Sequence, residues 1–143
     1  MKAYKIEPSH FFQRIRNNME FSIEFIDKLT VPETYFFRNE EHSLIFKDII
    51  EKDFITRNNL MILSAGCSSG EEPYTHAIML KEFFPKLFKN SLIYAIDLNN
   101  KSIEKAKKGI YGNSSFRNNC LGLRDKYFTK ISKYEYSISD DVK

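Results

Sequence analysis

The residues best suited to chemistry lie between Leu60 and Pro73. There an apolar run, LMILS, gives way to AGCSSGEEP, so that Gly66 and Gly70 bracket a tight loop followed by Glu71, Glu72 and Pro73. A glycine loop of this kind lets the backbone come close to a ligand, and a helix starting after it offers free N–H donors. A diphosphate is a poor occupant. Two carboxylates suit the positive end of a helix dipole but repel phosphate. No Lys-Ser or Lys-Thr follows the second glycine, so the loop is not a phosphate-cradling P-loop. A second apolar run, Leu92 to Ile96, ends at Asp97, where an acid can accept hydrogen bonds from both ribose hydroxyls.

A ligand with a nucleoside at one end and a positive group at the other fits these residues better than a nucleotide. S-adenosylmethionine has that form. The same residues also suit a plain packing turn with Asp97 as a helix-capping acid, and the pattern alone leaves both readings open. Other reactive types earn blander readings. Cys67 reads as a small residue filling a loop, although a helix N-terminus can activate a thiol. Lys101, Lys105, Lys107 and Lys108 read as a solvated helix face, and His42 and His76 as ordinary helix residues.

The elements that must position these residues follow from the spacing. From His10 to Leu29, Phe11, Phe12, Ile15, Met19, Ile23 and Ile26 recur at helical intervals, which predicts one amphipathic helix or a broken pair. A second helix is expected from Glu40 to about Phe54. Leu60 to Ser64 reads as a buried strand. Pro73 sits in the first turn of a helix that runs to Pro85. Leu92 to Ile96 is a second strand, and Asn99 or Asn100 caps a third helix that stops at Gly109. Strand, glycine loop, helix, strand, acid and helix make a βαβ unit of a parallel, helix-covered sheet. Beyond it, Tyr111 to Asn119 is turn-rich, Leu121 to Phe128 suggests a short helix, and Tyr134 to Ile138 alternates like an edge strand. The closing SDDVK resembles an approach to a further strand.

Composition narrows the class. The 143 residues are 42% hydrophobic and 15% aromatic, one ordinary domain by size and neither fibrous nor wholly disordered. Lys plus Arg number 22 against 19 Asp plus Glu, and this near-balance argues against a nucleic-acid partner. No apolar run is long enough to span a bilayer, and MKAYKIEPSH has no signal-peptide core, so a cytoplasmic protein without direct membrane insertion is expected. Cys67 and Cys120 make no disulfide framework, and with His10, His42 and His76 they supply no metal spacing.

Four segments carry a resemblance. LTVPETYFFR (Leu29 to Arg38), LSAGCSSGEEPY (Leu63 to Tyr74), YAIDLNN (Tyr94 to Asn100) and AKKGIY (Ala106 to Tyr111) resemble, in order and at compatible spacing, successive signatures of the CheR-type chemotaxis receptor methyltransferases. The resemblance implies a Rossmann-like class I methyltransferase fold in the α/β class. It implies S-adenosylmethionine as cofactor, with S-adenosylhomocysteine as product, and receptor cytoplasmic domains as protein substrate. In that family the threonine and arginine of the first motif lie at the methionine end of the cofactor, which maps to Thr34 and Arg38. The glutamate before the loop proline maps to Glu72, the ribose acid to Asp97, and Gly66 falls where the loop backbone faces the cofactor.

The implied chemistry is in-line transfer of a methyl group to a glutamate carboxylate. That acceptor is already ionised at neutral pH, so no general base is needed. Arg38, whose planar guanidinium can hold a carboxylate by two bonds, is the expected catalytic residue, with Tyr35, Phe36 and Phe37 as the packing that fixes it. Its bland alternative is a surface salt bridge to Glu40 or Glu41.

The sequence also departs from the family. Pro32 replaces a frequent asparagine, and the N-terminal helical segment, residues 1–29, is short. Residues 30–143 read as the first part of the cofactor domain, with an incomplete sheet. An exposed apolar face and a homodimer or partner chain covering the open sheet edge are therefore expected. The alternative function is a non-catalytic cofactor-binding or protein-interaction module derived from such an enzyme.

Overall fold

A computed structural model describes residues 7–117 and 120–143. Residues 1–6 and the Asn118–Asn119 end of the turn-rich stretch lie outside the described residues.

The first amphipathic stretch is a broken pair. α1 (Pro8–Asn17) and α2 (Met19–Leu29) meet at Asn18, whose extended backbone interrupts the helix and whose side chain accepts the Phe21 N–H at 2.8 Å. An asparagine in that geometry restarts a helix by satisfying one of its orphan donors. The two apolar stripes meet through Phe11, whose ring centroid lies 5.8 Å from Phe21 and 5.0 Å from Phe25. α3 (Glu40–Ile49) runs on as a π-helical turn to Phe54, so the expected second helix is present.

The βαβ unit is present as read. β1 (Met61–Ala65) lies one residue later than the sequence suggests; it leads through the glycine loop to α4 (Glu71–Phe83), and after a short α5 (Pro85–Phe88) the chain enters β2 (Leu92–Ile96). The strands pair in parallel from Met61 opposite Leu92 to Ala65 opposite Ile96. α6 (Asn100–Lys108) starts at Asn99, whose side chain accepts the Ser102 N–H at 3.0 Å, and stops at the left-handed Gly109. Gly70 is required on two grounds. Its φ is +93°, and a Cβ there would stand 2.8 Å from the Ala106 Cβ and 3.0 Å from the Tyr111 hydroxyl.

The C-terminal third corrects the sequence reading. β3 (Ile110–Gly112), β4 (Phe128–Lys130) and β5 (Glu135–Ile138) form an antiparallel sheet in the order β3-β5-β4, so the Tyr134–Ile138 stretch is a central strand and not an edge. The helix expected over Leu121 to Phe128 shrinks to a 3₁₀ turn, Cys120–Gly122, and a single turn, α7 (Arg124–Tyr127). Strands of three residues are too short to show a period of two, which is why β3 and β4 left no trace in the pattern.

Two apolar clusters meet around α4. One gathers Phe36, Phe37, Ile78, Met79, Tyr111, Phe128 and Ile138; the other gathers Ile50, Leu60, Leu80, Phe84 and Leu87. β1 and β2 turn one face toward α4 and, among the described residues, leave the other bare. Met61, Leu63, Leu92, Tyr94 and Ile96 on that face are between 51% and 76% exposed. Parallel sheets ordinarily have both faces covered, so the apolar face expected from the incomplete sheet is there.

Candidate functional site

The glycine loop is tied to the end of β2. The Gly66 and Cys67 N–H groups both donate to the Ile96 carbonyl, at 2.8 and 3.0 Å. Asp97 then holds both loops: one carboxylate oxygen accepts the Ser68 N–H and the other the Asn99 N–H, each at 2.8 Å. Gly66 has φ +83° and nothing within 4 Å of where a Cβ would stand, so its backbone borders open space. That is a cradle a side chain would fill.

Across the loop runs the segment from Glu33 to Asn39. Phe36 and Phe37 are buried, as the aromatic run suggested, and Tyr35 is half-buried. The backbone beside Arg38 is unusual: Phe37 at φ +54° and Asn39 at φ +56° are both left-handed. A bulky residue held there stores on the order of 1–3 kcal/mol, and such strain persists only where the surroundings over-determine it. Arg38 itself is exposed. Its guanidinium donates to the Glu33 carbonyl at 2.8 Å and sits 5.9 Å from the Tyr35 ring centroid. Among the described residues no ion pair joins it to Glu40 or Glu41. The other side of the segment is fixed by Arg117, 2.9 Å from a Glu33 carboxylate oxygen and 5.0 Å from the same ring.

Loop, segment and α4 enclose a cleft of about 150 Å³. Thr34, Arg38, Gly66 and Glu72 all line it, so four of the five expected site residues share one cleft. Asp97 lies in an adjoining hollow with Thr30, Ile96 and Leu98, and Gly66 lines both. The paired carboxylates separate. Glu72 faces the cleft and accepts the Ser64 hydroxyl at 2.6 Å, whereas Glu71 is 1% exposed and turned into the protein.

Sequence reasoning missed several groups in or beside the cleft. Ser64, a hydroxyl at the end of an apolar strand, orients Glu72, and its position in LMILS was the available signal. His42 and His76 also reach the cleft wall, and nothing in their spacing marked them. His76 stacks on Phe46 at 4.5 Å, and its Nδ1 is buried without a hydrogen-bond partner among the described residues. Cys67 lines the cleft too, but burial first and the Asp97 charge second push its thiol up, so it stays protonated at neutral pH. Among the described residues no His, Cys, Asp or Glu cluster could hold a metal, and no helix is long and apolar enough to cross a membrane.

The His76 surroundings set a pH dependence. Burial lowers its pKa, against a smaller opposing pull from the Glu72 charge. The unfolded chain therefore takes up this proton first, near the ordinary histidine value of about 6.5. The associated stability is complete above that pH and is lost as the pH falls toward the lowered folded value. Urea unfolding midpoints should drop between about pH 7 and pH 5.5, and His76→Gln should flatten that slope.

The sequence matches the family described as CheR methyltransferase, SAM binding domain, over residues 32–143. The chain belongs to the CheR methyltransferase family. The incomplete parallel sheet with flanking helices, preceded by a short helical pair, is thus part of the Rossmann-like α/β fold of that family, and its cofactor is S-adenosylmethionine. A chemotaxis protein methyltransferase of Borreliella burgdorferi is 34% identical over 153 residues, covering 100% of this chain and 54% of the relative. Chemotaxis protein methyltransferase 2 of Vibrio cholerae is 35% identical over 125 residues, covering 82% and 42%. A probable biofilm formation methyltransferase, WspC, of Pseudomonas aeruginosa is 33% identical over 123 residues, covering 82% and 28%. The chain spans about half or less of the length of these CheR relatives.

Proposed function

We propose that this chain is the cofactor-binding part of an enzyme that esterifies glutamate side chains on the cytoplasmic domains of chemotaxis receptors. The observation that carries the reading is the shared cleft of Thr34, Arg38 and Glu72, continued past Gly66 to Asp97. The donor set fits S-adenosylmethionine. Glu72, oriented by Ser64, suits an ammonium group; Asp97 has lone pairs left for ribose hydroxyls after binding two backbone amides; Gly66 leaves room between them. When bound, the cofactor supplies an electrophilic methyl group on a sulfonium.

The rest falls to the protein's own side chains. Arg38 presents a planar cation on the exposed side of the cleft, suited to holding an acceptor carboxylate by two bonds. Its link to the Glu33 carbonyl and its place beside Tyr35 limit the directions it can point. Alignment of an already ionised carboxylate is the main requirement of the reaction, since no proton has to be removed. Thr34, which lines the same cleft, is the further group we assign to the methionine end.

The test is to incubate the protein with methyl-labelled S-adenosylmethionine and a receptor cytoplasmic fragment. Label on glutamate that base releases as methanol is the expected result. Base-stable label, or label on small molecules only, would overturn the acceptor assignment. The bare face of β1 and β2 favours a second reading, a module acting through protein contacts. Cofactor binding with no transfer by the intact protein would select it. We further propose that residues 1–29 and 30–143 divide the chain into helical segment and cofactor domain, and that a second copy or a partner chain covers the open sheet edge.

A further inference from the structure

Glu71 is a buried carboxylate for which the cleft has no use. One of its oxygens accepts the Ser69 hydroxyl at 2.7 Å and the other accepts the Ser115 hydroxyl at 2.9 Å. Its backbone carbonyl accepts the Thr75 hydroxyl at 2.6 Å. Each of these partners leads somewhere. Ser69 lies in the glycine loop, and its carbonyl also accepts the Tyr111 hydroxyl at 2.9 Å. The Ser115 carbonyl accepts the Phe36 N–H at 2.9 Å, and the Thr75 hydroxyl accepts the Phe37 N–H at 3.2 Å.

A single residue in the first turn of α4 thus joins the glycine loop to both amides that precede Arg38. The join falls where the backbone is strained, at the left-handed Phe37. Strained conformations relax unless several contacts hold them; here the Phe36 amide traces back through Ser115 to the Glu71 carboxylate, and the Phe37 amide through Thr75 to the Glu71 backbone carbonyl. A buried charge is costly unless hydrogen-bonded, and this one is compensated by two hydroxyls and the positive end of a helix. Burying a carboxylate in place of a neutral residue makes sense where a strong, directional acceptor is needed.

The geometry points to Glu71 as a positioning residue that clamps the Thr34–Arg38 segment to the cofactor loop, setting the distance between the Arg38 side of the cleft and the Gly66–Asp97 side. Its carboxylate acts through Ser115 and Ser69 and touches no ligand. In its binding consequence the inference rests on the cofactor reading above; in its backbone consequence it does not.

The test compares the protein with its Glu71→Ala and Glu71→Gln variants in two measurements. Amide hydrogen exchange should quicken about tenfold or more at Phe36 in E71A, less at Phe37, whose link runs through the backbone carbonyl that the variant keeps, while the Leu92 amide, bonded to the Leu60 carbonyl at 2.9 Å, stays unchanged. S-adenosylhomocysteine affinity should fall about tenfold in E71A with adenosine affinity within about twofold, because the nucleoside contacts lie on the loop side. E71Q should restore both, since a carboxamide can take one hydroxyl and donate to the other. If E71A does not fold, Ser115→Ala cuts one link and should quicken exchange at Phe36 about threefold or more. Unchanged exchange at Phe36 in every folded variant, or an equal loss of affinity for both ligands, would overturn the clamp. Failure of the wild type to bind S-adenosylhomocysteine would instead strike the cofactor reading, and the exchange measurement would still decide the clamp.

Discussion

Arg38→Lys is expected to slow methyl transfer on the order of a hundredfold, with cofactor affinity changed by less than about threefold. Lysine keeps the charge and loses the fork. It offers one compact cation in place of two parallel N–H groups, so an acceptor carboxylate would be attracted but not aligned. It would also lose the guanidinium's hold on the Glu33 carbonyl and its planar contact beside the Tyr35 ring, 5.9 Å from the ring centroid. Single-turnover rates with a receptor fragment, set beside calorimetric affinities for S-adenosylhomocysteine, separate the two effects. Equal rates for both proteins would remove Arg38 from the orienting role. A loss of affinity as large as the loss of rate would make it a cofactor contact only.

Asp97→Ala should weaken S-adenosylhomocysteine binding roughly 10–100-fold, the range for one hydrogen-bonded charged acceptor facing two hydroxyls. The structure complicates the simple form of this expectation, because Asp97 also accepts the Ser68 and Asn99 amides. Its removal frees both loops as well as the ribose position. A 2′-deoxyribose analogue resolves the ambiguity. The wild type should bind the deoxy compound more weakly than the parent, and the Asp97→Ala variant should not tell them apart. Unchanged discrimination in the variant, together with a lower unfolding midpoint, would leave Asp97 as a cap and a loop tie.

The parts of this structure that could be read in advance are those that punctuation marks. Gly66, Gly70 and Pro73 delimit the loop and the start of α4; Asn99 and Gly109 delimit α6. Each is a residue whose backbone demands are visible in its type. The C-terminal sheet had no such signal, since β3 and β4 are three residues each and β5, in the middle, alternates no differently from an edge. The site was legible in outline and not in detail. Thr34, Arg38 and Glu72 rested on the family resemblance, and the structure brings them to one cleft. Adjacent positions on a helix point about 100° apart, so two neighbouring glutamates could not both face the cleft; the resemblance pointed to Glu72, and spacing alone did not show what the inward-turned Glu71 would bind. The left-handed Phe37 was equally hidden, because a phenylalanine in that conformation is imposed by its partners and not by its own preference.

The most direct measurement is a calorimetric titration of the protein with S-adenosylhomocysteine, with the mass in solution recorded alongside. Saturable one-to-one binding is the predicted result, carried by the cleft that joins Thr34, Arg38 and Glu72 to Gly66, with Asp97 in the adjoining hollow. A folded protein that takes up no S-adenosylhomocysteine would contradict the account, leaving these residues as the remnant of a cofactor site.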